Sequence, residues 1–158
     1  MSKSLKRVRD ALNAAGAKAE IRETALARTA ADAAAAVNCE IDQIAKSIIL
    51  RAQTTGTAVL FITAGGNQVD LSAAAALVGE PLGKADAALI RAQTGFAIGG
   101  VSPVGHVTPC RAWFDRRLLD FDEIWAAAGT PHHVFCLAPD KILEISGAQV
   151  SDFTALSK

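Results

Sequence analysis

The sequence predicts an α+β domain, and three features of the chain carry that prediction. Apolar residues recur at helical spacing in some segments and as short β-branched runs in others. Gly, Pro and Asn clusters punctuate the boundaries between them. Strands and helices follow one another without the regular βαβ alternation of a parallel fold. The 158 residues, 51% hydrophobic and 20% charged, fit one globular domain over residues 1–158, since no linker, repeat or low-complexity tract divides them. Tyr is absent and aromatics are scarce, so Ala, Val, Ile and Leu must build most of the core.

Leu5, Val8 and Leu12 mark the buried stripe of a first helix, which Gly16 ends. Ala19–Glu23 alternates as a short strand. Thr29 caps a second, Ala-rich helix through Val37. Asp42 starts one further turn that runs into Lys46. Ser47–Leu50 and Ala58–Thr63 read as strands joined by a turn at Thr54-Thr55-Gly56. Gly65-Gly66-Asn67 is another turn, after which Ser72 caps a helix to Val78 and Asp86 caps one to Gln93. Arg111–Phe114 is a strand ahead of a charged corner at Asp115-Arg116-Arg117. The span Asp122–Leu137 admits two readings. Glu123–Ala128 has helical composition, whereas Gly129-Thr130-Pro131 followed by Val134–Leu137 looks like the far side of a hairpin. Pro139 then stands in the first turn of a last helix that runs to about Ile145.

Sixteen basic and 16 acidic residues leave zero formal net charge, which argues against gripping nucleic acid through a large positive field. A local basic face remains on the first helix (Lys3, Lys6, Arg7), either solvated or turned to RNA phosphate. The charged N-terminus is unlike a signal peptide, and no apolar run approaches the roughly 18 residues that span a bilayer. A soluble cytoplasmic protein without a membrane partner is the expectation. Cys39, Cys110 and Cys136 are odd in number and show no short-spaced pair, as free thiols of a reducing compartment do.

Gly95 to His106 places four glycines and Pro103 in 12 otherwise apolar residues. Such a segment presents a shaped backbone with free N–H groups. It matches no nucleotide loop: Val101-Ser102 stand where a Walker A motif needs Lys and Ser/Thr, and G-x-G-x-x-G is absent. Two readings remain, a structural turn between strands or a backbone-lined site that stabilises an oxyanion. Lys46, at the entrance of an apolar run, is either solvated or a point charge for an anion. His106, His132 and His133 with Cys110 or Cys136 match no zinc spacing, and no pattern pairs a cysteine with a histidine for nucleophilic catalysis.

The context Asp42-Gln-Ile-Ala-Lys-Ser-Ile-Ile49, the run Gly95-Phe-Ala-Ile-Gly-Gly-Val-Ser-Pro-Val-Gly105 and Gly129-Thr-Pro131 together resemble the YbaK/EbsC family. These are free-standing relatives of the editing domain inserted in bacterial prolyl-tRNA synthetase, and the resemblance covers nearly the whole chain. It implies a mixed, largely antiparallel central sheet with surrounding helices, and it resolves the ambiguous span as a hairpin of Glu123–Ala127 with His133–Leu137. The implied activity is trans-editing: hydrolysis of the ester between a small, wrong amino acid and the 3′ end of tRNA-Pro or a related tRNA, without metal or organic cofactor. By resemblance, Lys46 positions the aminoacyl-adenosine end. Gly99, Gly100, Val101, Ser102 and Pro103 form a G-x-x-x-P loop whose amides face the ester carbonyl. Gly129 and Thr130 form the turn that closes the pocket, and Thr29 stands at its rim. His106, which no family motif includes, is expected to line the same cleft.

No residue resembles a dedicated nucleophile or strong base, so the expected mechanism is a positioned water attacking a carbonyl polarised by backbone N–H groups. The substrate's own hydroxyls or amine would handle the proton. Discrimination would rest on pocket size, suiting Ala, Ser, Cys, Thr or aminobutyrate. Zero net charge implies weak affinity for tRNA alone, with a synthetase or elongation factor as partner in trans. The rival readings are a non-catalytic module of the same fold that binds tRNA or a small ligand, and a hydrolase of another small acyl ester.

Overall fold

The computed structural model of the protein describes residues 2–155, so Met1 and residues 156–158 of the expected domain lie outside the described residues. Helix α1 (Lys3–Ala14) begins at Ser2, whose hydroxyl accepts the Leu5 N–H at 3.0 Å. Its Leu5, Val8 and Leu12 are buried, as their spacing requires. Strand β1 (Glu20–Glu23) precedes α2 (Ala30–Val37), which Thr29 caps through the Asp32 amide. A 3-10 turn at Ile41–Gln43 leads into β2 (Ile44–Ala52). The turn expected to run into Lys46 therefore stops at Gln43, and Lys46 stands inside the strand. The reason is pairing: Ile44 is already opposite Trp125, and Ala45 is opposite Ala64.

Strand β3 (Ala58–Ala64) returns antiparallel to β2 and leads to α3 (Leu71–Val78). Asp70 caps α3 instead of Ser72, its carboxylate accepting the Ser72 and Ala73 amides at 2.9 and 3.1 Å. A carboxylate one residue before the helix satisfies two free donors at once, and the Ser72 hydroxyl already lies inside the first turn. Then come β4 (Leu82–Lys84), which the sequence pattern does not announce, and α4 (Ala87–Thr94), capped by Asp86 as predicted. After the glycine-rich segment follow β5 (Arg111–Asp115), β6 (Ile124–Ala127), β7 (His133–Leu137), α5 (Pro139–Ser146) and β8 (Gln149–Ser151). The charged corner at Asp115 becomes a 3-10 turn over Arg116–Asp120. The ambiguous span is a hairpin, with Ile124 opposite Leu137 and Ala127 opposite Val134.

The sheet runs β1-β7-β6-β2-β3-β5-β8, with β4 also on β2. Most of it is antiparallel; the β2–β6, β3–β5 and β5–β8 pairs are parallel. β3 is buried along its whole length, so it must be apolar on both faces. Leu60, Ile62 and Ala64 join a core formed with α1, Phe96 and Val104. Val59 and Phe61 meet Val78, Trp113 and Phe153 on the other face, where Phe61 stacks on Trp113 at 5.1 Å between ring centroids.

Two features of this frame create the site. Opposite β3, β2 pairs with β6 only through Ile44 and Ala45 and with β4 only through Leu50–Ala52. The edge over Lys46–Ile49 thus has no strand partner. The second feature is Arg7. Its Nε donates to the Gly105 carbonyl at 3.1 Å, its Nη2 donates to the Gly95 carbonyl at 2.8 Å, and its guanidinium lies 5.1 Å over the Phe96 ring. Of the basic face predicted on the first helix, Arg7 therefore turns inward and clasps both ends of the glycine-rich segment, while Lys6 pairs with Asp10 at 3.2 Å. Replacing Arg7 with Ala should lower unfolding stability in urea by about 2 kcal/mol, as expected for loss of charge-assisted bonds to half-buried carbonyls. Arg7→Lys should recover little of it, because one ammonium cannot reproduce the planar fork.

Candidate functional site

A cleft of about 400 Å³ opens at the unpartnered edge of β2, walled by the start of α2, the glycine-rich loop, β6 and the turn before β7. Ile44, Ile48, Ile49, Ile90, Val101 and Trp125 make most of its wall apolar. Side chains alternate along β2. Lys46 and Ile48 share the face of Ile44, which packs under α2, whereas Ser47 shares the face of Ala45 and Ile49 toward α1 and the glycine-rich segment.

Lys46 Nζ donates to the Asn67 carbonyl at 2.6 Å. The Gly65-Gly66-Asn67 turn that offers this carbonyl is held from two sides. Asp42 accepts the Gly66 amide at 2.8 Å, and Asp115 accepts the Asn67 side-chain amide at 2.9 Å and the Ala64 N–H at 3.0 Å. Arg117 joins the two acids, its Nε on Asp42 and its backbone N–H on Asp115, both at 3.0 Å. Burial pulls the Lys46 ammonium below its usual range, and the negative charges of Asp115 and Asp42 oppose that shift. The result is a fixed cation at the wall of an apolar cleft.

Gly99, Val101, Thr29 and Thr130 line the same cleft as Lys46. Gly100 and Gly129 lie behind its surface, where they bring two loops together. A Cβ on Gly100 would stand 2.9 Å from the Gly129 oxygen and from Thr130 Cα, so only glycine lets these backbones touch. Gly129 has φ +95°, and a Cβ there would stand 2.6 Å from the Ser4 carbonyl in α1. The loop's amides are not equivalent. The Gly100 N–H bonds the Ala97 carbonyl at 3.1 Å, and Pro103 has none to offer. Among the described residues the Gly99, Val101 and Ser102 amides make no hydrogen bond. Ser102 itself is fully buried, its hydroxyl accepting the Val104 N–H at 3.3 Å.

His106 is not in the cleft where the sequence reading expected it. It lines a separate cavity of about 170 Å³ behind the loop, with Pro103, Leu60 and Cys110. The chain reverses through Pro103 and Gly105, so the imidazole folds back edge-on to Phe96 and its Nε2 donates to the Ser102 carbonyl at 2.6 Å. Burial lowers its pKa below 6.5; Arg7 adds to the effect and the Ser102 carbonyl opposes it. Thr29 reaches the rim, but its hydroxyl is engaged in capping α2.

The fold also brings Arg28, Ser47, Ile98 and His133 to the cleft, of which only His133 stands among the sequence candidates, and there as a metal ligand. Ile98 is 63% exposed at the loop tip. The Thr130 hydroxyl accepts the His132 N–H at 3.1 Å and shares a hydrogen bond with His133 Nδ1 at 2.7 Å, while His133 Nε2 lies 3.3 Å from the Glu23 carboxylate. The spacing Thr130-x-x-His133 after a glycine turn was the available signal. Burial pushes the Cys110 thiol up to about 11, and burial with the neighbouring Glu123 carboxylate pushes Cys136 up to about 12, and neither lines the cleft. Among the described residues no group of three or more His, Cys, Asp or Glu is placed to hold a metal ion. No helix among them is long and apolar enough to cross a membrane.

The sequence profile of the aminoacyl-tRNA editing domain matches residues 24–145. A Bacillus subtilis (strain 168) protein, the uncharacterized protein YwhH, is 26% identical over 122 residues, 77% of each chain. A solved structure described as that of a proposed trans-editing enzyme for prolyl-tRNA synthetase is 44% identical, with TM-score 0.91 over 98% of this chain and 99% of its own. That of hypothetical protein APE2540 is 25% identical, with TM-score 0.86 over 94% and 99%.

Two outcomes follow from the loop geometry. Gly100→Ala should part the two loops and lower activity at least tenfold while circular dichroism shows the fold retained. His106, whose pKa is lowered by folding, takes up a proton more readily in the unfolded chain. Its contribution to stability is therefore present above pH 6.5 and lost as pH falls through and below that value, with a slope of at most about 1.4 kcal/mol per pH unit. His106→Gln, which can still donate to Ser102, should flatten that slope in urea titrations.

Proposed function

We propose, from the premise that this chain belongs to the aminoacyl-tRNA editing domain family, that it is a cytoplasmic trans-editing hydrolase working as one domain on mischarged aminoacyl-tRNA. The observation that carries the reading is the pairing of a fixed ammonium, Lys46, with the unbonded amides of Gly99 and Val101 around one apolar cleft.

The Lys46 ammonium orients the terminal adenosine through its electron-rich oxygens. The loop amides receive the ester carbonyl, whose oxygen gains negative charge as water attacks. Fixed N–H donors stabilise that charge without having to reorganise, each by roughly 3–4 kcal/mol in favourable cases. The attacking water gives its proton to the substrate's amine or ribose hydroxyl, and the ribose oxygen leaves protonated, yielding free amino acid and uncharged tRNA. An ester is activated enough for this to suffice, since each factor of ten in rate needs only about 1.4 kcal/mol. The isoleucines and Trp125 limit the acyl group to a small one, and the close approach of Gly100 to Gly129 and Thr130 fixes the far wall. The 44% identity to a proposed trans-editing enzyme for prolyl-tRNA synthetase supports tRNA-Pro as the carrier, with a synthetase or elongation factor supplying affinity that the neutral chain lacks.

The test is deacylation of tRNA-Pro charged in turn with alanine, serine, threonine, cysteine and aminobutyrate. Turnover of at least one is expected, and turnover of none would leave the chain a binding module of the same fold. Lys46→Met should lower kcat/KM by at least a hundredfold. Circular dichroism should show the fold retained, since only the hydrogen bond to the Asn67 carbonyl is lost.

A further inference from the structure

Ser47 is anomalous in its surroundings. The other buried hydroxyls find partners within the chain: Thr63 donates to the Phe61 carbonyl at 3.0 Å, Thr94 donates to the Ile90 carbonyl at 2.6 Å, and Ser102 accepts the Val104 amide. The Ser47 side chain is half-buried at the cleft, and its hydroxyl exposes almost no surface and bonds to nothing among the described residues. An unmade hydrogen bond at a buried hydroxyl opposes folding, and an alanine there would be the more stable choice. Native structures keep few such groups, and a bound ligand is one partner that satisfies them.

The position says where that partner comes from. Ser47 lines the cleft, in the middle of the Lys46–Ile49 stretch of β2 that no strand covers. It follows Lys46 directly, so the two side chains leave opposite faces of the strand and reach the cleft from its two sides. Ser47 shares the face of Ala45 and Ile49, whose core includes Phe96 and Val104 of the glycine-rich segment, with Val101 packed against it. That is the side on which the acyl group of an ester would lie if its carbonyl faced the loop amides. Most of the neighbouring wall is apolar, and the Thr29 and Thr130 hydroxyls of the same cleft are already engaged within the chain, which leaves the Ser47 hydroxyl free to take a hydrogen bond from an acyl group.

We infer that Ser47 contacts the substrate: its hydroxyl hydrogen-bonds a polar atom of the bound aminoacyl group and makes the cleft selective for acyl groups that carry one. This rests on the editing reading given above. The polar atom is either the α-amino group, common to every aminoacyl ester, or a side-chain hydroxyl such as that of serine or threonine. A serine hydroxyl can serve both, since it donates and accepts. A site that hydrogen-bonds its ligand discriminates strongly against analogues lacking the group, whereas one methylene more or less is weakly sensed.

The experiment compares wild type, Ser47→Ala and Ser47→Thr in steady-state deacylation of alanyl- and seryl-tRNA-Pro, with kcat and KM resolved, and in thermal unfolding. Ser47→Ala should unfold at the wild-type temperature or above it, because it removes an unsatisfied group, and should lose about tenfold or more in kcat/KM. Loss on both substrates identifies the α-amino group, and loss on seryl-tRNA alone identifies the side-chain hydroxyl. Ser47→Thr, which keeps the hydroxyl, should retain most of the activity. Wild-type kinetics from Ser47→Ala on both substrates would overturn the inference, as would a lowered unfolding temperature, which would make the hydroxyl structural. Absence of wild-type turnover on both these and the wider panel overturns the editing reading itself, and the assignment of Ser47 with it.

Discussion

A strand edge left unpaired in a sheet exposes main-chain donors and acceptors and must be covered or used. In this protein the edge of β2 over Lys46–Ile49 lies between the ends of two partner strands, and no strand completes it. The rest of the site follows from that gap. The start of α2 covers one side and the glycine-rich loop the other, and neither fills the space, so a cleft remains where a strand would have been. Polar side chains on consecutive residues of β2 then reach the cleft from opposite faces, an arrangement that a helix or an irregular loop would not produce.

The loop that closes the gap has little regular structure of its own, so its shape is imposed from outside. Arg7 ties together the carbonyls at Gly95 and Gly105, and His106 holds the Ser102 carbonyl between them. Phe96 and Val104 anchor the loop in the core shared with α1. With its ends and middle fixed, the loop can leave the Gly99, Val101 and Ser102 amides without internal partners. Donors held in this way lose no order when an oxyanion forms between them, which is why a backbone loop can do work usually given to side chains.

Charge is handled with the same economy. Lys46 is partly desolvated, yet it faces a turn held by Asp42 and Asp115, and Arg117 balances those acids. The cluster keeps a cation at the cleft wall without a net positive field over the molecule, in keeping with equal numbers of acidic and basic residues.

The helical stripe Leu5-Val8-Leu12, the caps at Thr29 and Asp86, the β2–β3 pair and the special backbone of Gly99–Pro103 were legible in the sequence, because each depends on residues near one another in the chain. The resemblance carried by Lys46 and the two glycine motifs added the hairpin of β6 and β7, which local composition left open. Tertiary structure decided the rest. Lys46 belongs to a strand because Ile44 and Ala45 pair on both sides, and Arg7 faces inward because carbonyls 88 and 98 residues away need donors. His106 turns away from the cleft although it adjoins the loop, and His133 faces the cleft although it adjoins an equally plausible histidine. Ser47 could not be singled out by sequence, since a serine in a strand is ordinary until its surroundings fail to offer it a hydrogen bond. Residue type and spacing determined which backbone shapes were available. Long-range pairing determined which edge stayed open, and therefore which side chains face the cleft.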